Sequence, residues 1–293
     1  MRRRRAAILV LLAALLTAGL SAAQAAPPDR SRGGGGGGDA CGEPLLREDG
    51  TRWVCTMAEE FDGRSLDRRR WLPQTSFATG VEGARSCHVD SPATVSVRSG
   101  VLRLSVLPAP QPFDCVGLTA THYSGQVSTY RLFSQQHGRF EVRMRSTPTE
   151  EPGQPGLQEA FWLWPDDRYP SLLPWPAAGE IDVAETYSQH PDLAIPFLHY
   201  TAWDNGGPVQ GLNTEYCLAQ RGEWHTYTLT WTASTIAIDV DGRRCLTNDS
   251  GDQAFQKPYI IALTQALGIA GNAHTGTAPA TATTEVDYVR VWR

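Results

Sequence analysis

Long apolar runs are nearly missing from this 293-residue chain, and the single candidate, Ala6 to Leu20, is too short for a spanning helix. It follows Arg2 to Arg5 and precedes Ala22-Ala23-Gln24-Ala25-Ala26, the three-part pattern of a secretory signal peptide, so residues 1–26 are predicted to be removed and the protein secreted. No CxxC or HxxxH spacing occurs, which argues against a zinc site. Positive charge is short as well. Loss of the four leading arginines takes the formal charge from -5 to -9, and an acidic surface repels nucleic acid, anionic membranes and sulfated or uronate polymers while leaving neutral sugars unaffected.

Helical signals are equally scarce. Residues 27–40, with six consecutive glycines from Gly33 to Gly38, read as a flexible linker, and residues 41–293 as one domain without repeats. Phe140, Val142 and Met144 alternate with Arg139, Glu141, Arg143 and Arg145, and Tyr227, Leu229 and Trp231 with Thr228 and Thr230. Such strands have one buried face, and turn dipeptides such as Ser99-Gly100 and Asp241-Gly242 separate them. Tyr259 to Leu267, behind Pro258 and containing Ile260-Ile261, fits a buried strand better than a helix. Many short antiparallel strands imply an all-β sandwich or jelly roll. Cys41, Cys55, Cys87, Cys115, Cys217 and Cys245 allow fifteen pairings; bonds between sequence neighbours are favoured because each staples a local turn.

The most informative segment is Gly179-Glu180-Ile181-Asp182-Val183-Ala184-Glu185. In a regular strand Glu180 and Asp182 share a face, Ile181 and Val183 enter the core, and Glu185 falls on the wrong side. One β-bulge at Val183-Ala184 restores the parity and lines three carboxylates along one face. Like charges so close raise each other's pKa, which a structural strand has no use for. Two carboxyls about 5 to 5.5 Å apart are what retaining glycoside hydrolysis requires, although spacing alone also permits inversion. Asp182 between them can hydrogen-bond one glutamate and split their protonation. The plainer reading is a charged strand edge.

Glu180-Ile181-Asp182-Val183-Ala184-Glu185 resembles the signature of glycoside hydrolase family 16 in its bulged, laminarinase-like form. The likeness extends to Glu59-Glu60-Phe61-Asp62-Gly63 with Trp71, Tyr123-Ser124-Gly125, Gly138 to Arg143, Trp224 to Trp231 and Val286 to Val291. It implies a concanavalin A-like β-jelly-roll sandwich of two antiparallel sheets with a concave substrate cleft. It further implies Glu180 as nucleophile, Asp182 as its helper and Glu185 as general acid/base, with no cofactor for catalysis. His199 matches a histidine beside the cut, and Glu60, Gly100 and Asp287 match a structural calcium site. Two features depart from the family. Leu263-Thr264-Gln265-Ala266-Leu267-Gly268 stands where many relatives carry an asparagine and a glycine pair, and the proline-rich stretch Pro165 to Pro176 is expected to reshape the cleft rim.

Among nine tryptophans, Trp164 and Trp175 are the expected sugar platforms, because sugar rings stack on indole faces, whereas Trp231 reads as core. The expected activity is endo-cleavage of β-1,3- or mixed β-1,3/1,4-glucan through a covalent intermediate by a monomer. A transglycosylase shares that intermediate. A non-catalytic lectin on the same sandwich is the rival from another class, and the presence of both Glu180 and Glu185 weighs against it.

Overall fold

The computed structural model describes residues 39–150, 153–201, 212–214 and 217–293. The expected signal peptide, and the expected linker up to residue 38, lie outside the described residues. The expected strands form. Gly138–Arg145 alternates buried and half-buried positions along its whole length, as its apolar/charged alternation requires. Among the described residues the helical content is two short 3-10 turns, Gln253–Phe255 and Ala270–Asn272.

Two antiparallel sheets carry the fold. One runs Leu72–Pro73, Leu118–Ser128, Tyr259–Leu267, Leu157–Pro165, Glu180–Tyr187 and Leu193–His199 in spatial order. In the other, Ala282–Trp292 lies between Gly138–Arg145 on one side and Val101–Cys115 with Cys55–Glu59 on the other. His225–Trp231, Ile236–Val240, Arg243–Asn248 and Leu212–Thr214 extend this sheet beyond Gly138–Arg145. Both sheets contribute to a single large core: Phe161, Leu163, Ile181, Val183 and Leu263 from the first, Leu104, Phe140, Val142, Leu229 and Val289 from the second. Tyr259–Leu267 is a strand buried along its full length, and Trp231 is in the core. The six cysteines pair as sequence neighbours, Cys41–Cys55, Cys87–Cys115 and Cys217–Cys245.

The core also holds a charge. Glu159 has the parity of Leu157, Phe161 and Leu163, so it faces inward, and both it and Arg221 are sealed from solvent. Arg221 donates from Nη1 and Nη2 to the two Glu159 oxygens at 2.6 and 2.7 Å, with Thr186 and Gln265 donating at 2.7 and 3.1 Å. Gln265, on the strand that departs from the family pattern, thus serves this network. Removing one member of a buried ion pair strands the other charge, so Arg221→Ala is expected to lower unfolding stability by about 3–5 kcal/mol. Denaturant titration checks this. A loss below about 1 kcal/mol would mean that water reaches Glu159.

Candidate active site

The Glu180–Tyr187 strand carries the bulge. Asp182 faces Trp162 and Ala184 faces Phe161, so Val183 is the extra residue, and on the other edge the register shifts between Asp182 and Glu185. Ile181, Val183 and Ala184 are buried in the core, while Glu180, Asp182 and Glu185 line one cavity of about 170 Å³ on the opposite face. Gly179 leads the chain in at φ +96°, and a Cβ there would run into the Tyr259 hydroxyl, so only glycine delivers Glu180 in this way.

The three acids have different partners. Trp175 Nε1 donates to Glu180 Oε2 at 2.6 Å. His199, directly across the strand pair from Glu180, places Nε2 3.2 Å from Asp182 Oδ2. An oxygen of Glu180, an oxygen of Asp182 and a ring nitrogen of His199 lie within 4.8 Å of one another. Glu185 accepts from Gln158 Nε2 at 2.8 Å and from the Tyr187 hydroxyl at 2.6 Å.

Burial dominates the electrostatics. It pushes the Glu180 carboxyl up to about 8, with the Asp182 charge adding to it and His199 and the Trp175 N–H opposing. Burial also raises Glu185, opposed by its hydrogen bonds from Tyr187 and Gln158. The Tyr187 phenol is raised too, first by burial and then by the Glu185 charge, so it stays a donor. The site therefore holds at least one proton at neutral pH. In the free cleft, two donors favour ionised Glu185 and one favours ionised Glu180.

Trp175, 45 % exposed, packs its ring 5.2 Å from the His199 ring, so it is a hydrogen-bond donor to Glu180 as well as a candidate platform. Trp164 is exposed and stands edge-on to Trp162 at 6.0 Å. Of these two, Trp162 is the one that lines the acid cavity. Gln158, Tyr187, Gln126, His88 and Phe77 were not anticipated at the site. The signal available for two of them was parity: Gln158 shares a face with Trp162, and Tyr187 with Glu185.

Glu60, Gly100 and Asp287 fall at one edge of the second sheet, the one built around Ala282–Trp292, where Glu59 pairs with Val289 and Leu102 with Val286. Their oxygen donors suit calcium in kind. Arginines compete for them: Arg290 donates to both Glu60 oxygens at 2.7 and 3.0 Å, and Arg143 to Asp287 Oδ2 at 2.8 Å.

Fold and site together define a concanavalin-like jelly roll with an acid cluster on the face of its first sheet. The sequence pattern of glycosyl hydrolases family 16 matches residues 93–290, and the chain belongs to that family. It is similar to the endo-1,3-1,4-beta-glycanase ExsH of Rhizobium meliloti, 25 % identical over 76 % of this chain. It spans 46 % of that relative's length. It is also similar to a glucan endo-1,3-beta-glucosidase of Cryptopygus antarcticus, 28 % identical over 82 % of this chain and 92 % of that one. Among solved structures, a mutant of SCLam, a non-specific endo-beta-1,3(4)-glucanase, is 25 % identical with a TM-score of 0.69, over 86 % of this chain and 98 % of that one.

Proposed function

We propose that residues 41–293 are a secreted, endo-acting hydrolase of β-1,3- or mixed β-1,3/1,4-glucan that retains configuration. The observation that carries this is the bulge, which turns Glu185 onto the face of Glu180 and Asp182. The relatives' names supply the polymer. In the first step a Glu180 oxygen attacks the anomeric carbon while Glu185 gives its proton to the leaving glycosidic oxygen, leaving a glycosyl ester. In the second, Glu185 takes a proton from water, whose oxygen displaces Glu180. The two steps need one protonated and one ionised carboxyl, which a cluster holding a shared proton provides. The hydrogen bonds of the free cleft do not assign that proton to Glu185, so Glu180 as nucleophile rests on its place in the family motif.

Reducing-sugar release from laminarin, lichenan, agarose, carrageenan and xyloglucan, with Glu180→Gln beside the unmodified protein, tests the proposal. Release from laminarin or lichenan that vanishes in the variant supports it. Silence on every polymer with binding to one would indicate a lectin, and products longer than a defined oligosaccharide substrate would indicate a transglycosylase.

A structural calcium ion at Glu60, Gly100 and Asp287 is part of the same proposal. A chelator is expected to lower Tm by several degrees, and added calcium to restore it, because an ion bound only to the folded state stabilises it. An unchanged Tm would mean that Arg143 and Arg290 alone balance these acids.

A further inference from the structure

The double displacement asks Glu185 to carry a proton in one step and a negative charge in the next, and burial disfavours the charge. Two residues that form no bond to the sugar in those steps are fixed against it. Gln158 Nε2 donates to Oε1 at 2.8 Å and the Tyr187 hydroxyl to Oε2 at 2.6 Å, so each carboxyl oxygen has its own donor.

The two donors are themselves a cross-strand pair. Tyr187 stands opposite Gln158, Thr186 opposite Glu159 and Glu185 opposite Ala160. With a period of two, Gln158, Tyr187 and Glu185 share the cleft face, while Thr186 and Glu159 point into the core. Both flanks of Tyr187 are tied down: the Thr186 hydroxyl donates to Glu159 at 2.7 Å, and Ser188 Oγ accepts from Leu157 N at 2.8 Å. Glu159 is held in turn by Arg221 and by Gln265, whose amide oxygen accepts from Thr284 of the second sheet at 3.0 Å. Buried Asn272 bonds to Leu157 O and Gln189 N, closing the end of the same strand pair. The strand beyond the bulge could slip only by breaking the hydrogen bonds of a buried charge. Backbone on both sides thus delivers the Tyr187 hydroxyl to Glu185.

A tyrosine suits this place. Burial and then the Glu185 charge keep its phenol protonated, and a hydroxyl both donates and accepts, so the contact survives either state of Glu185. The other charged groups facing Glu185 are Glu180 and Asp182 on its own strand and His199 on the next.

We infer that Tyr187, seconded by Gln158, is a positioning residue for the acid/base step: it fixes the Glu185 carboxyl in one rotamer and stabilises the charge left there when the proton departs. This rests on the double-displacement reading of the cleft and adds to it the groups that make Glu185 an effective acid.

The test is kcat/KM against pH for unmodified protein, Tyr187→Phe and Gln158→Met, on a laminarin oligosaccharide and on a β-1,3-glucan disaccharide with a dinitrophenyl leaving group. A dinitrophenolate departs with little help from an acid, so the two substrates separate proton donation from everything else. Tyr187→Phe is expected to lose on the order of tenfold on the oligosaccharide, the worth of a hydrogen bond to a charged group, and about twofold or less on the activated substrate. One limb of its pH profile moves up by about one unit, because the ionised carboxyl has lost a donor. Gln158→Met shows the same pattern. Equal losses on both substrates, or a profile whose limbs do not move, overturn the positioning role while leaving the cleft reading intact. No cleavage of either substrate by the unmodified protein overturns both.

Discussion

Glu180→Ala is expected to lower kcat on β-glucan on the order of 10⁴-fold or more, since the glycosyl ester of the proposed first step forms on its carboxylate. Added azide is expected to restore part of the rate on a substrate with a good leaving group. The small anion enters the space left by the carboxylate, attacks the same face of the sugar and gives a glycosyl azide of inverted configuration. Glu185→Ala should behave differently: the ester still forms with an activated leaving group, and azide then resolves it to a product of retained configuration. The two azide products thus distinguish nucleophile from acid. An inverted product from Glu185→Ala and a retained one from Glu180→Ala would exchange the roles, as the hydrogen bonds of the free cleft would allow.

The second large effect is on stability. Glu180 is raised to about 8 in the folded protein by burial and by Asp182. In the unfolded chain it ionises near the ordinary glutamate value. Between those two values the folded state holds a proton that the unfolded state has released, so stability falls as pH rises from about 4.5 to about 8. Glu180→Gln removes the penalty. It is expected to equal the unmodified protein at pH 4 and to be more stable at pH 8 by about 3–5 kcal/mol. Denaturant midpoints at the two pH values check this. Glu185→Gln is expected to shift in the same direction, because burial raises that carboxyl also. Equal midpoints at pH 8 would mean that water or a cation relieves the cluster.

Both predictions concern a row of acids, Glu180, Asp182 and Glu185, that is legible in the sequence itself. Glu185 sits at an odd offset from Glu180, and an acid at a core position either has a buried partner or forces a bulge. At Val183 it is the bulge. Glu159 shows the other outcome of the same rule. Its parity with Leu157 and Phe161 required a buried cation, and the cation is Arg221, which no strand pattern marks. The neighbour disulfides were readable for a similar local reason, each closing a short stretch of chain.

The rest depended on how loops return to the cleft. Prolines between Pro165 and Pro176 announce irregular backbone without saying where the Trp175 indole ends, and it ends on Glu180. Phe77 follows Ser76 in a segment with no strand period, so nothing local placed it against His88. Glu60 and Asp287 read as oxygen donors, and the arginines that reach them come from distant strand positions, Arg290 and Arg143.

The central claim, that Glu180 and Glu185 on one bulged strand carry out hydrolysis with retention, is tested most directly by the anomer first released. Proton NMR during the opening minutes of laminarin-oligosaccharide cleavage would show the new reducing end before mutarotation. The account predicts the β-anomer first, with the α-anomer growing in later. An α-anomer first would mean single displacement by water and would contradict it.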